Sequence, residues 1–159
     1  MRVDAAGRFW FAQLEREAGV MSCSIALSED HGETWQHAVE GIDCVDKEWI
    51  AVGDQAIYIA AHSGIWRYAT NSPYDLLASV VDPEQLFGLA FAGYVDEQGA
   101  HFVRMNNGTS YDRVVWNGEG TPQSDDGPIA GNPIEGQTGV QRTSIAIGRT
   151  GDGVPWVVT

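Results

Sequence analysis

IAVGDQAIYIAAHSG, residues 50 to 64, holds two short apolar runs separated by the polar triplet Gly53, Asp54 and Gln55. Ile, Val and Tyr recur in both runs, and such branched and aromatic side chains suit a pleated sheet. A Gly-Asp break between them is turn chemistry, because glycine reaches backbone angles closed to other residues and Asp bonds to nearby backbone N–H groups. The stretch reads as strand, tight turn, strand.

The same plan recurs in LAFAGYVDEQGAHFVRMNNG (89 to 108) and IAIGRTGDGVPWVVT (145 to 159), and MRVDAAGRFWFAQL at the start fits it from its second half. Trp10, Tyr58, Phe102 and Trp156 then take equivalent places, separated by 48, 44 and 54 residues. That period is close to the roughly 40 to 50 residues of a four-stranded β-propeller blade. Third strands are expected at 22 to 28 (SCSIALS), 64 to 70 (GIWRYAT) and 111 to 117 (YDRVVWN), and fourth strands at 35 to 40, 76 to 81 and 128 to 135. FAQLEREAG (11 to 19) is the one run with helical character, but it is short and follows FWF at once, so it reads as a strand running into a loop.

The expected fold class is all-β, a β-propeller fragment of about three four-stranded blades. Its divisions are an incomplete blade at 1–40, blades at 45–82 and 86–135, and the start of a blade at 140–159, with the chain opening on a second strand and stopping after another. A propeller closes at roughly four to eight blades, so the expected partners include the remaining blades or a further copy of the chain. The Gly- and Pro-rich stretch 118 to 139 reads as a long connection between blades.

SEDHGETWQHAVEG (28 to 41) follows the first third-strand candidate and sets Ser28, Asp30, Gly32, Thr34 and Trp35 on a fixed spacing. Asp30 is suited to accept from backbone N–H groups of its own loop, Ser28 to add a local bond, and Gly32 to supply a positive φ. Trp35 opens the following strand, with its ring against the hairpin and its indole N–H within reach of a carbonyl. Folding a hairpin explains all five positions.

S-x-D-x-G-x-T-W over Ser28–Trp35 resembles the Asp box, or BNR repeat, of sialidase-like β-propellers, and DKEWIAVGDQAIYIAAHS resembles the start of an inner strand in secreted proteins of that kind. The resemblance implies a structural turn at the propeller edge, away from substrate, so a structural role for Asp30 outweighs a catalytic one. It also implies glycan chemistry. Family members include exo-sialidases and noncatalytic relatives, and sialidases use three arginines, a Tyr/Glu nucleophilic pair and an Asp acid/base. That set does not map onto this chain, where Arg67, Arg104, Arg113 and Arg142 fall on different strand candidates. The expected function is therefore an extracytoplasmic or secreted propeller acting on or binding glycans, with glycoside hydrolysis in a complete ring. The alternative is a propeller for recognition or scaffolding, without chemistry.

In such a fold the turns from second to third strands, and from one blade to the next, gather on one face. That face would carry the ligand-binding candidates Asp46, Glu48, Trp49, His62, Arg104, Asn106 and Arg142, a mixture suited to a hydroxyl-rich or carboxylated sugar or another small polar ligand.

Charge narrows the partners further. The 159 residues hold 22 acidic and 9 basic side chains, a net charge of -13, which argues against nucleic acid and anionic membrane surfaces. No segment has the apolar length of a membrane span, and the N-terminus lacks the order of a signal peptide. Cys23 and Cys44 lack zinc-site spacing, and a disulfide and two buried thiols both remain open. His31, His37, His62 and His101 show no helical pairing, and DDG (125 to 127) and GDG (151 to 153) do not continue as calcium loops, so neither metal nor cofactor is expected. Asn107-Gly108-Thr109 is a glycosylation sequon for a secreted chain in a host that glycosylates.

Overall fold

A computed structural model describes residues 1–44, 48–61, 63–81, 90–106, 110–125, 146–149 and 155–158. Every regular element among them is a β-strand. Three four-stranded antiparallel sheets follow one another along the chain, each with its strands in sequence order. The first holds β1 (Arg2–Val3), β2 (Phe9–Glu17), β3 (Val20–Ser28) and β4 (Gln36–Ile42). The second holds β5 (Trp49–Val52), β6 (Ala56–Ala61), β7 (Gly64–Ala69) and β8 (Leu76–Val81). The third holds β9 (Ala90–Asp96), β10 (Gly99–Asn106), β11 (Ser110–Trp116) and β12 (Gln123–Asp125), and a last hairpin joins β13 (Ala146–Arg149) to β14 (Pro155–Val158).

The β6 sequence AIYIAA explains how the sheets meet. All six residues are buried, and their period-2 alternation feeds two separate cores. Ile57, Ile59 and Ala61 join Trp10, Ile25 and Leu27 of the first sheet, whereas Ala56, Tyr58 and Ala60 join Phe102, Val114 and Trp116 of the third. The middle sheet is thus covered on both faces, which a strand apolar on both sides requires. First strands of successive sheets are neighbours: β1 touches β5, β5 touches β9, and β9 touches β13.

Several expectations change. The chain opens on a first strand, with Arg2 and Val3 opposite Trp10 and Phe9; two residues are too short to show a period. FAQLEREAG keeps its reading, a strand through Glu17 that then turns at Ala18 and Gly19. The fourth strand of the third sheet is Gln123–Asp125, paired with Arg113–Val115 inside the stretch read as a long connection; the expected strand at 128 to 135 lies outside the described residues.

Phe102 is not the counterpart of Trp10 and Tyr58. Those two face the sheet that follows their own, whereas Phe102 faces the sheet before it. The cause is the position along the strand: Tyr58 is the third residue of β6, and Phe102 the fourth of β10. Trp10 donates its indole N–H to Asp4, six residues back, and His101 bonds Asp96, five residues back, so His101 takes the place of Trp10 and Phe102 falls on the opposite face.

Candidate functional site

Two ends of the sheets have to be distinguished. At one lie the turns from first to second strands and from third to fourth, and at the other the turns from second to third strands and the links between sheets.

The Ser28–Trp35 loop occupies the first end, between β3 and β4. Asp30 Oδ1 accepts from the Thr34 backbone N–H at 2.8 Å and from Ser28 Oγ at 2.8 Å, and Asp30 Oδ2 accepts from Thr34 Oγ1 at 2.5 Å. Ser28 Oγ accepts in turn from the Gly32 N–H at 2.8 Å, where a φ of +93° favours glycine. The Trp35 indole donates to the Gly32 carbonyl at 3.2 Å, and its ring lies edge-on to Phe11 at 6.3 Å. Strand β4 begins at Gln36, one residue beyond Trp35. Bonds from the Thr34 hydroxyl, the Thr34 backbone N–H and the Ser28 hydroxyl draw the Asp30 carboxyl down from 3.8 to about 2. A carboxyl held there is ionised near neutrality and has no proton to give a leaving group.

At the same end, the β1–β2 turn holds a second aspartate system that the sequence reading missed. Asp4 Oδ1 accepts from the backbone N–H groups of Ala6 and Arg8 at 3.0 and 2.9 Å, and Asp4 Oδ2 accepts from Arg8 Nε at 2.7 Å and the Trp10 indole at 2.9 Å. Its side chain is only 4% exposed. Burial pushes this carboxyl up, but the Trp10 indole and the Arg8 backbone and guanidinium outweigh burial and hold it below its ordinary value. Arg8 continues to the Thr70 carbonyl at 3.0 Å, linking the first sheet to the second. The available signal was an Asp three residues before Gly7, followed by a Trp.

The described ligand-binding candidates fall toward the other end. Glu48 is half-buried just ahead of β5, and Trp49 opens that strand, half-buried and opposite Ala60. Arg104 and Asn106 lie near the end of β10, opposite Asp112 and Ser110. Asp46, His62 and Arg142 lie outside the described residues, as do residues 107–109 of the glycosylation sequon. Ser63 Oγ donates to the Asp43 carbonyl at 3.5 Å, holding the link into the second sheet beside the β6–β7 turn. Cys44, in that link, forms a disulfide with Cys23 of β3, their Cα atoms 5.6 Å apart, which resolves the open cysteine question.

A cleft of about 650 Å³ opens between the second and third sheets, at the end that also carries the Asp30 loop. It is lined by the β5–β6 and β9–β10 turns, by Tyr58 and Arg67, and by Asn117 after β11. Of the candidates whose side chains are described, neither Glu48 nor Trp49 lines it.

Comparison with protein-family models, with curated protein sequences and with solved structures found no match.

Proposed function

We propose that this chain supplies blades to a sialidase-like β-propeller that binds glycans outside the cytoplasm. The observation that carries the reading is the hydrogen-bond set of Ser28, Asp30, Gly32, Thr34 and Trp35 in a third-to-fourth-strand turn, the position and structural role expected of an Asp box. Three sequential four-stranded sheets with neighbouring first strands support the propeller architecture. The Cys23–Cys44 disulfide is compatible with an oxidising compartment.

Glycan cleavage in a complete ring and glycan recognition without chemistry use the same scaffold. The ionised Asp30 removes the box carboxylate from the candidates for a general acid, so catalysis would need another group. A glycan array, followed by incubation of each bound glycan with the protein and analysis of released sugars, separates the two. Binding with release supports the hydrolase, binding without release supports recognition, and absence of binding on the array removes the glycan reading.

A further inference from the structure

The cleft between the second and third sheets contains an arginine that pairs with no carboxylate among the described residues. Arg67 on β7 stands opposite Tyr58 on β6, and its guanidinium carbon lies 5.8 Å from the centre of the Tyr58 ring. Arg67 Nε is buried without an acceptor. Asp54, Asp96 and Glu97 line the same cleft, yet among the described residues none forms an ion pair with Arg67. In a chain with 22 acidic and 9 basic residues, an arginine facing three carboxylates without pairing to any is unexpected on charge alone.

Local packing holds the guanidinium in that position. A side-chain carbon at Gly118 would lie 2.7 Å from Arg67 Cδ and 3.0 Å from Nη1, so the bare backbone of Gly118 packs against the arginine stem. Tyr58 supplies one wall, and Tyr58 itself packs edge-on to Trp116 at 6.3 Å. The guanidinium therefore presents a fixed fork, the geometry that pairs with a carboxylate through two parallel hydrogen bonds.

The surrounding acids decide what else the ligand must carry. Asp96 Oδ1 already accepts from the Gln98 N–H at 2.8 Å and contacts His101 Nε2 at 2.7 Å. Asp54 and Glu97 are exposed at the rim and repel a bare anion while offering acceptors to a donor. No group of three metal-ligating side chains converges among the described residues, so a divalent cation is poorly served there. A volume of about 650 Å³ suits a small molecule.

We propose that this cleft binds a small molecule bearing one carboxylate and several hydrogen-bond donors, the chemistry shared by sugar acids and amino acids. Arg67 holds the carboxylate, Tyr58 covers its apolar side, and Asp54 and Glu97 accept from the hydroxyl or ammonium groups. This site is separate from the glycan-binding face proposed above and stands whether or not that reading holds.

Calorimetric titration of the intact chain with D-glucuronate, L-glutamate, D-glucose and inorganic phosphate tests it. Glucuronate or glutamate should bind with a Kd below about 1 mM, and glucose and phosphate should bind at least about tenfold more weakly. Binding of glucuronate alone identifies a sugar acid, and binding of glutamate alone an amino acid. Arg67→Gln should weaken the carboxylate ligand about tenfold or more. Should that variant fail to fold, the rim variants Asp54→Asn and Glu97→Gln, at exposed positions, should each weaken it severalfold with an unchanged melting temperature. Failure of both carboxylates to bind, equal binding of glucose or phosphate, or affinity unchanged in the folded variants would overturn the assignment.

Discussion

Asp4 Oδ2 accepts the Trp10 indole N–H at 2.9 Å across the β1–β2 turn, and the same oxygen accepts from Arg8 Nε at 2.7 Å. One buried carboxylate thereby satisfies the turn backbone, a core tryptophan and the arginine that reaches Thr70 in the next sheet. Trp10→Phe keeps most of the packing and removes only the donor, so it should cost about 1 kcal/mol. Asp4→Ala removes every acceptor at once and should cost about 2 kcal/mol or more. Denaturant titration of the two variants checks the ranking. Equal and negligible losses would show that the contact does not stabilise the fold.

Asp30 offers a prediction with a defined sign. Its folded value, about 2, lies below the ordinary 3.8, so its contribution to stability is fully present above about 3.8. It is lost as pH falls toward 2, where the folded carboxyl takes up its proton. Carboxyl carbon NMR should find a titration midpoint near 2 for Asp30. Thr34→Val removes the largest cause and should move that midpoint upward, while Asp30→Asn should flatten the melting-temperature profile over the same acidic range. A midpoint that Thr34→Val leaves in place would contradict the hydrogen-bond account.

The Cys23–Cys44 bridge closes a loop with a sequence separation of 21 and ties β3 to the link before the second sheet. Closing a loop of that size restricts the unfolded chain by about 3 kcal/mol in the entropic account. Cys23→Ser with Cys44→Ser should therefore lower stability by about 3 kcal/mol, and added reductant should shift the native protein but not the double variant. Peptide mapping with and without reduction provides the covalent check.

Strand order is legible where apolar residues run or alternate over several positions, as in the continuous AIYIAA of β6 and the alternating SCSIALS of β3. It fails where an element is too short or too polar to show a period. Arg2–Val3 has two residues, and Gln123–Asp125 has no apolar side chain, so only their ladder partners reveal them. Phe102 shows a different limit: aromatic spacing suggests equivalence with Tyr58, but Tyr58 is the third residue of β6 and Phe102 the fourth of β10, which turns them to opposite faces of their sheets. The Asp30 loop could be read because all its groups lie within eight residues. The Arg67 cleft could not, because it joins residues around 54, 67, 96 and 117 that meet only when two sheets pack.

The middle sheet gives a last test of how the sheets pack. Tyr58 and Ile59 are consecutive, yet Tyr58 belongs to the core shared with Phe102 and Trp116, and Ile59 to the core shared with Trp10 and Leu27. Truncating either leaves a cavity in a different core, so Tyr58→Ala and Ile59→Ala should each cost about 3 kcal/mol. Their side chains share no partners, so the double variant should lose the sum to within about 0.5 kcal/mol, in a background stable enough to measure it. A sheet covered on only one face would give a different pattern, with one variant costly and its neighbour within about 0.5 kcal/mol of wild type. Equilibrium unfolding of the three variants therefore distinguishes a sheet sandwiched between two others from one that borders solvent, and near-neutral behaviour of either single variant would refute the two-core packing.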